Sequence, residues 1–215
     1  MSISSLVSSD AIPIVAVAAG LPFLLVASTA FAKLAIVISA LRYALGTPRM
    51  PPNAVVLGIA MVLTIHVMWP VVSAAAAGYE RAGPDVSARA AAVAGPLAVF
   101  VRKNAREKDA ALFREMREKA AEKAGQPALS GPLADGLSVY APAFVLTELT
   151  EAFLAAFLIC VPFLVLDLVV SSTLLAAGAH MLSPTVISLP LKLLLFVLMD
   201  GWTMIVKGLV VGYVY

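Results

Sequence analysis

Apolar residues run through this chain in four long blocks, and the polar residues gather in one place between the second and the third. No charge interrupts residues 11–32, Met50–Tyr79 or Leu168–Leu191. Each stretch reaches or exceeds the roughly 20 residues that a helix needs to cross a hydrocarbon core of about 30 Å. The first block runs from Ile12 to Leu41, with bends expected at Pro13 and Pro22. The connection RYALGTPRMPPN follows, where Gly46, Pro48, Pro51 and Pro52 end any helix. A second block runs from about Ala54 to Ala77. The third begins near Ala143, carries Pro162, and ends near a bend-prone stretch, Gly178 to Pro190. The fourth continues from Ser188 to the C-terminus.

The polar part spans Glu80 to Tyr140. It holds 13 of the 28 charged residues between Arg102 and Lys123 alone. Leu97–Ala124 lacks Gly and Pro and predicts one helix, supported by the i,i+4 pairs Lys103–Glu107, Arg114–Glu118 and Glu115–Lys119. Phe113, Met116, Ala120 and Ala124 share a face, and Gly125 and Pro127 stop it. A solvated amphipathic helix packed on its neighbours fits this pattern, with a partner-binding face as the alternative. The expected fold is all-α and membrane-associated. It has a first hydrophobic hairpin over 1–79, a polar helical insert over 80–140, and a second hairpin over 141–215 with a loop near 178–190.

Composition sharpens the class. The chain is 61% hydrophobic and 13% charged, with mean hydropathy +0.98, against about 25% charged residues in soluble domains. A net charge of +2 is too small to imply nucleic acid. Cys160 is the sole cysteine, so no internal disulfide forms. Ala30-Phe31-Ala32 resembles a cleavage site, but MSISSLVSSD contains no Lys or Arg. The first block is therefore expected to be retained rather than removed as a signal peptide. Lys33, Arg42 and Arg49 surround the first loop, and no acid lies between Asp10 and Glu80. That asymmetry places the loop inside and both termini, with the insert, outside.

Candidate chemistry is sparse. HExxH, Walker, GxSxG and CxxC patterns are all missing, and His66 and His180 stand too far apart in sequence to read as a metal site. Nothing points to an enzyme, a cofactor or a metal. Glu148 and Glu151 share a helix face at the start of the third block and read as an acidic pair favoured by the helix dipole. Ala152–Val206 contains three charges, Asp167, Lys192 and Asp200. A reversal midway between Asp167 and Lys192 falls between Ala179 and His180. It would put acid and base at equal depth, each ~19 Å from the bend at 1.5 Å per residue. Ionisable groups in such surroundings are costly and usually partnered. Asp200 and Lys207, seven residues apart on one helix face, can pair between subunits. The rival reading from these residues is a small secondary transporter or ion channel using Asp167 and Lys192 as a relay.

Three runs resemble one family. FAKLAIVISALRYALGTPRMPPNAVVLGIAM (Phe31 to Met61), YAPAFVLTELTEAFLAAFLICVPFLVLDLVVSS (Tyr140 to Ser172) and MLSPTVISLPLKLLLFVLMDGW (Met181 to Trp202) are similar, in that order, to signatures of the FliP/SctR family. These are export-gate components of flagella and of type III secretion injectisomes, and the likeness favours the injectisome branch (SctR, YscR, HrcR). The resemblance implies a bacterial inner-membrane protein, much of it at the periplasmic side. It implies a pentameric ring joined by SctS- and SctT-type subunits, beside SctU- and SctV-type partners, that passes unfolded secreted polypeptides. Asp167 and Lys192 match the family's charged pair, either a register-fixing salt bridge or a bond that shifts during gating. Gly178, Ala179, His180, Met181 and Pro184 occupy the place of a methionine gasket that seals the pore. Met181 alone is a methionine there, and His180 is either a pore-lining residue or a pH-responsive one. Glu148 falls on the family motif between Phe144 and Phe153. Lys33 and Arg42 match basic positions of the first signature, read as snorkelling anchors or as contacts to neighbouring proteins.

Overall fold

The computed structural model describes residues 26–47, 50–125, 131, 135–179 and 181–214. Helix α1 spans Phe31–Ala44 and α2 spans Asn53–Arg81. Two insert helices follow, α3 (Val86–Asn104) and α4 (Glu107–Ala124). A single π-helical turn at Gly136–Tyr140 leads into α5, Ala141–Ala176, and the chain closes with α6 (Pro184–Leu198) and α7 (Gly201–Val214). The part of the first block from Ile12 to Leu25, with Pro13 and Pro22, lies outside the described residues, as do Arg49, Pro127 and His180.

Leu34, Val37, Ile38 and Leu41 recur at helical spacing on α1 and are buried. They meet α5 in the most extensive packing of the molecule. Val56 and Ala60 of α2, Phe100 and Val101 of α3, Phe144 and Phe163 of α5, and Ile205, Leu209 and Tyr213 of α7 complete one core. The two hairpins are thus wedged together through α1 and α5, with α3 laid along α2.

Among the described residues, two helical stretches are long and apolar enough to span a membrane, Asn53–Arg81 and Ser138–Ala176. The pair α6 and α7 makes a third if taken as one bent span. Large apolar side chains on these helices point outward, among them Trp69, Phe157, Leu168, Val197 and Leu198. An apolar surface of this extent needs lipid or protein over it.

Two expectations change. The helix expected over Leu97–Ala124 is broken at Ala105 and Arg106, both extended, so Lys103 and Glu107 sit on different helices. The cause is a tertiary hydrogen bond: the Arg106 N–H donates to Thr147 Oγ1 on α5 at 3.0 Å. Arg114 bonds Glu107 at 3.4 Å rather than Glu118, while Lys119 and Glu115 meet at 2.5 Å. The buried face of α4 runs through Asp109 and Ala110, not Met116, which is exposed.

The fourth block, expected to be continuous, bends by 61° between α6 and α7. Helices α2 and α5 run on through Pro70 and Pro162, and α6 through Pro190. Loss of one hydrogen bond in a long, well-packed helix does not end it. The break instead falls at Asp200, with φ +48°, a left-handed conformation that Asp tolerates better than most residues. Phe196 then packs edge-on against Trp202 at 5.6 Å and covers Gly201, where an added Cβ would lie 2.2 Å from the Phe196 ring. Gly201→Ala is expected to force this ring aside and cost about 1–3 kcal/mol. A lower thermal aggregation midpoint in detergent, relieved by adding Phe196→Leu, is the check.

Candidate functional site: two charged junctions and an exposed reversal

The chain turns back between α5 and α6 through a glycine-capped helix end. Gly178, with φ +70°, donates its N–H to Leu175 O at 3.1 Å, and Ala179 donates to Leu174 O at 3.0 Å. Those two bonds satisfy carbonyls at the helix end, and the positive φ explains the glycine. Pro184 opens α6 at its first position, where a missing N–H costs nothing. Between them Met181 stands 98% exposed.

The reversal aligns Asp167 on α5 with Lys192 on α6, Nζ to Oδ2 at 2.6 Å. Lys192 is buried, whereas the Asp167 side chain is 38% exposed. The pair therefore has one inward member and one that reaches an outer face of the molecule.

A second junction is more deeply buried. Lys33 of α1 lies 3.0 Å from Glu148 Oε1 and 2.7 Å from Glu151 Oε2, both on α5. The Tyr213 hydroxyl of α7 donates to Glu148 Oε2, and Lys33 Nζ sits 4.2 Å above the Tyr213 ring. Phe100 of α3 stacks on Tyr213 at 6.0 Å and meets Phe144 edge-on at 5.8 Å. Four helices thus converge on one ion pair. Lys33 is 6% and Glu148 2% exposed, so neither is a surface anchor nor a solvated helix-end charge.

Arg42 is also buried and bonds inside the chain. Its Nη1 donates to Pro51 O at 3.1 Å and to Asn53 Oδ1 at 2.6 Å, closing the α1–α2 connection. Asp200 and Lys207 do not share a helix face, because the α6–α7 break falls at Asp200. Among the described residues, no group of three or more His, Cys, Asp or Glu is arranged to hold a metal.

Thr147, next to Glu148, carries a junction that sequence patterns hide. Its hydroxyl donates to Asp109 Oδ2 at 2.7 Å, and Arg106 Nε reaches the same oxygen at 3.0 Å. Burial pushes the Asp109 carboxyl up, but the hydrogen bonds from Thr147 and Arg106 outweigh it and hold the group below the usual aspartate range. A depressed native value contributes stability above the unfolded pKa near 4, lost as pH falls through the native value. Seating of α4 on α5 is accordingly expected to loosen below about pH 4, read as faster hydrogen exchange across residues 107–124. Thr147→Val is expected to cost about 1–3 kcal/mol at neutral pH by leaving Asp109 short of a donor.

Tyr213 had no signal in sequence beyond its place in an apolar run. The Lys33 pairing did have one: a cation within an apolar block requires an acid, and Glu148 and Glu151 stand in the block that faces it.

The profile of the FliP family matches residues 14–209. This chain belongs to the FliP family. It is 42% identical over 196 residues to "Flagellar biosynthetic protein FliP" of Pectobacterium carotovorum, covering 88% of this chain and 72% of that one. It is 40% identical over 200 residues to "Yop proteins translocation protein R" of Yersinia pestis, covering 90% of each. With "Hypersensitivity response secretion protein HrcR" of Ralstonia nicotianae the identity is 38% over 205 residues, covering 90% of this chain and 91% of that one. FliP-family membership thus takes in α1 through α5, α6 and most of α7.

Proposed function

We propose that this FliP-family protein is a membrane subunit of a type III secretion export apparatus, forming with further copies a gated conduit for unfolded polypeptides. The relatives' names, translocation protein R and secretion protein HrcR, support the apparatus. The observation that carries the gate is the α5–α6 reversal: a glycine-capped end holds Met181 almost fully bare at the tip of two helices joined by Asp167 and Lys192. A bare methionine on an isolated chain is a flexible, polarizable plug once several copies converge. Outward apolar surfaces on α2, α5 and α6 supply the contacts for a ring of five, for SctS- and SctT-type partners, and for lipid. SctU- and SctV-type proteins complete the assembly, which sits in the inner membrane with much of its mass toward the periplasm. We favour the injectisome branch, because several relatives at about 40% identity are named for translocation or secretion, beside flagellar ones. Belonging to this family stands against the small-transporter alternative.

Met181→Ala is expected to raise leakage of small solutes through the assembled apparatus by about tenfold while assembly is retained. The check is dye or ion flux in cells carrying the complex, beside native mass of the purified oligomer. Unchanged leakage removes Met181 from the seal, and a chain that stays a monomer beside its partners removes the gate.

A further inference from the structure

Beyond Ala141 the chain carries six Asp, Glu, Lys or Arg residues. Glu148 and Glu151 are matched by Lys33, and Asp167 by Lys192. Asp200 and Lys207 remain: both are exposed, and neither makes an ion pair among the described residues. They lie within the bent apolar pair α6–α7, where an unmatched charge is costly. Opposite charges left over in one apolar hairpin call for partners outside the chain.

Their surroundings differ, one a projecting bend and the other a groove. Asp200 is the apex of the α6–α7 bend, and Val197, Leu198 and Met199 beside it are exposed, making an apolar knuckle with one carboxylate. Lys207 stands on the wall of an apolar groove of about 730 Å³ between α2 and α7, with Val62, Leu63, His66, Trp202 and Val206 around it.

We propose that the knuckle of one copy seats in the α2–α7 groove of the next, pairing Asp200 with the neighbour's Lys207. The contact joins two different patches, so it repeats from copy to copy and closes a ring if the rotation allows. This rests on the reading that copies of the chain assemble. A second copy is favoured over lipid because this same chain carries, at Asp200, the carboxylate that would match Lys207 at the groove wall.

The test uses full-length chains within the assembled apparatus, all carrying Cys160→Ala. One tagged copy bears Asp200→Cys and a differently tagged copy bears Lys207→Cys, and a short bis-maleimide is added. Mixed-tag dimers are expected at least about tenfold above either variant alone. Separately, Asp200→Lys and Lys207→Asp are each expected to lower oligomer yield about tenfold, with the two together recovering to within about threefold of wild type. Absence of mixed dimers from chains that still form an oligomer overturns this contact and leaves the export-subunit reading standing. Cross-linking of Lys207→Cys to a different polypeptide, or to none, also overturns it. Failure of the unaltered chain to oligomerise with its partners removes the export-subunit reading as well.

Discussion

Lys33→Ala is expected to leave almost no stable protein in the membrane. The ammonium is nearly sealed from outside and lies 3.0 and 2.7 Å from two carboxylates. Removing it strands Glu148, 2% exposed, beside a second acid. Breaking a buried pair by deleting one partner costs about 3–5 kcal/mol, a large part of a total stability of about 5–15 kcal/mol. Because α1, α3, α5 and α7 all meet there, the loss reaches both hairpins and the insert. Steady-state abundance and protease resistance in membranes measure it. Lys33→Met combined with Glu148→Leu and Tyr213→Phe is expected to recover most of the abundance, since a matched apolar replacement removes the burial cost together with the charges. Glu151→Ala has a milder effect because its side chain is 43% exposed. Wild-type abundance of Lys33→Ala would sink the idea that this junction holds the fold together.

Exchange of Asp167 and Lys192 is expected to restore more secretion than either single alanine change leaves. The two groups meet at 2.6 Å across the α5–α6 reversal, and Lys192 is buried. Asp167→Ala leaves that ammonium inside with no counter-charge, and the cost is again about 3–5 kcal/mol. Lys192→Ala is expected to be less damaging to abundance, because Asp167 reaches an outer face and can find another donor. Secretion of a reporter substrate, normalised to the amount of protein in the membrane, separates folding from gating. A bond that only fixes register returns full secretion on exchange. A bond that shifts during opening returns assembly and abundance but little secretion. Equal loss in all three strains argues against direct pairing.

Much of this was legible from the order of residues. Long, charge-poor apolar blocks require helices that cover their own backbone bonds, and α2 and α5 follow. Gly178 and Pro184 flank the reversal for local reasons, one accepting a left-handed φ and the other opening a helix. The placement of Asp167 and Lys192 at equal distance from that reversal follows from helical rise alone.

What stayed hidden depends on contacts far apart in the chain. A Gly- and Pro-free run suggests one helix, yet α3 and α4 part at Arg106 because Thr147, 41 residues away, takes its N–H. Pro162 and Pro190 suggest breaks, yet α5 and α6 run through them and the chain parts at Asp200 instead, where Phe196 closes over Gly201. Lys33 looks like an anchor until α5 and α7 bring Glu148, Glu151 and Tyr213 to it. Local sequence determined the helices, the polar insert and the tight turn, because propensity and hydrophobic period act over a few residues. Only the tertiary structure decided which charges are buried and where the helices stop, because burial energy and long-range hydrogen bonds belong to neighbours that sequence spacing does not name.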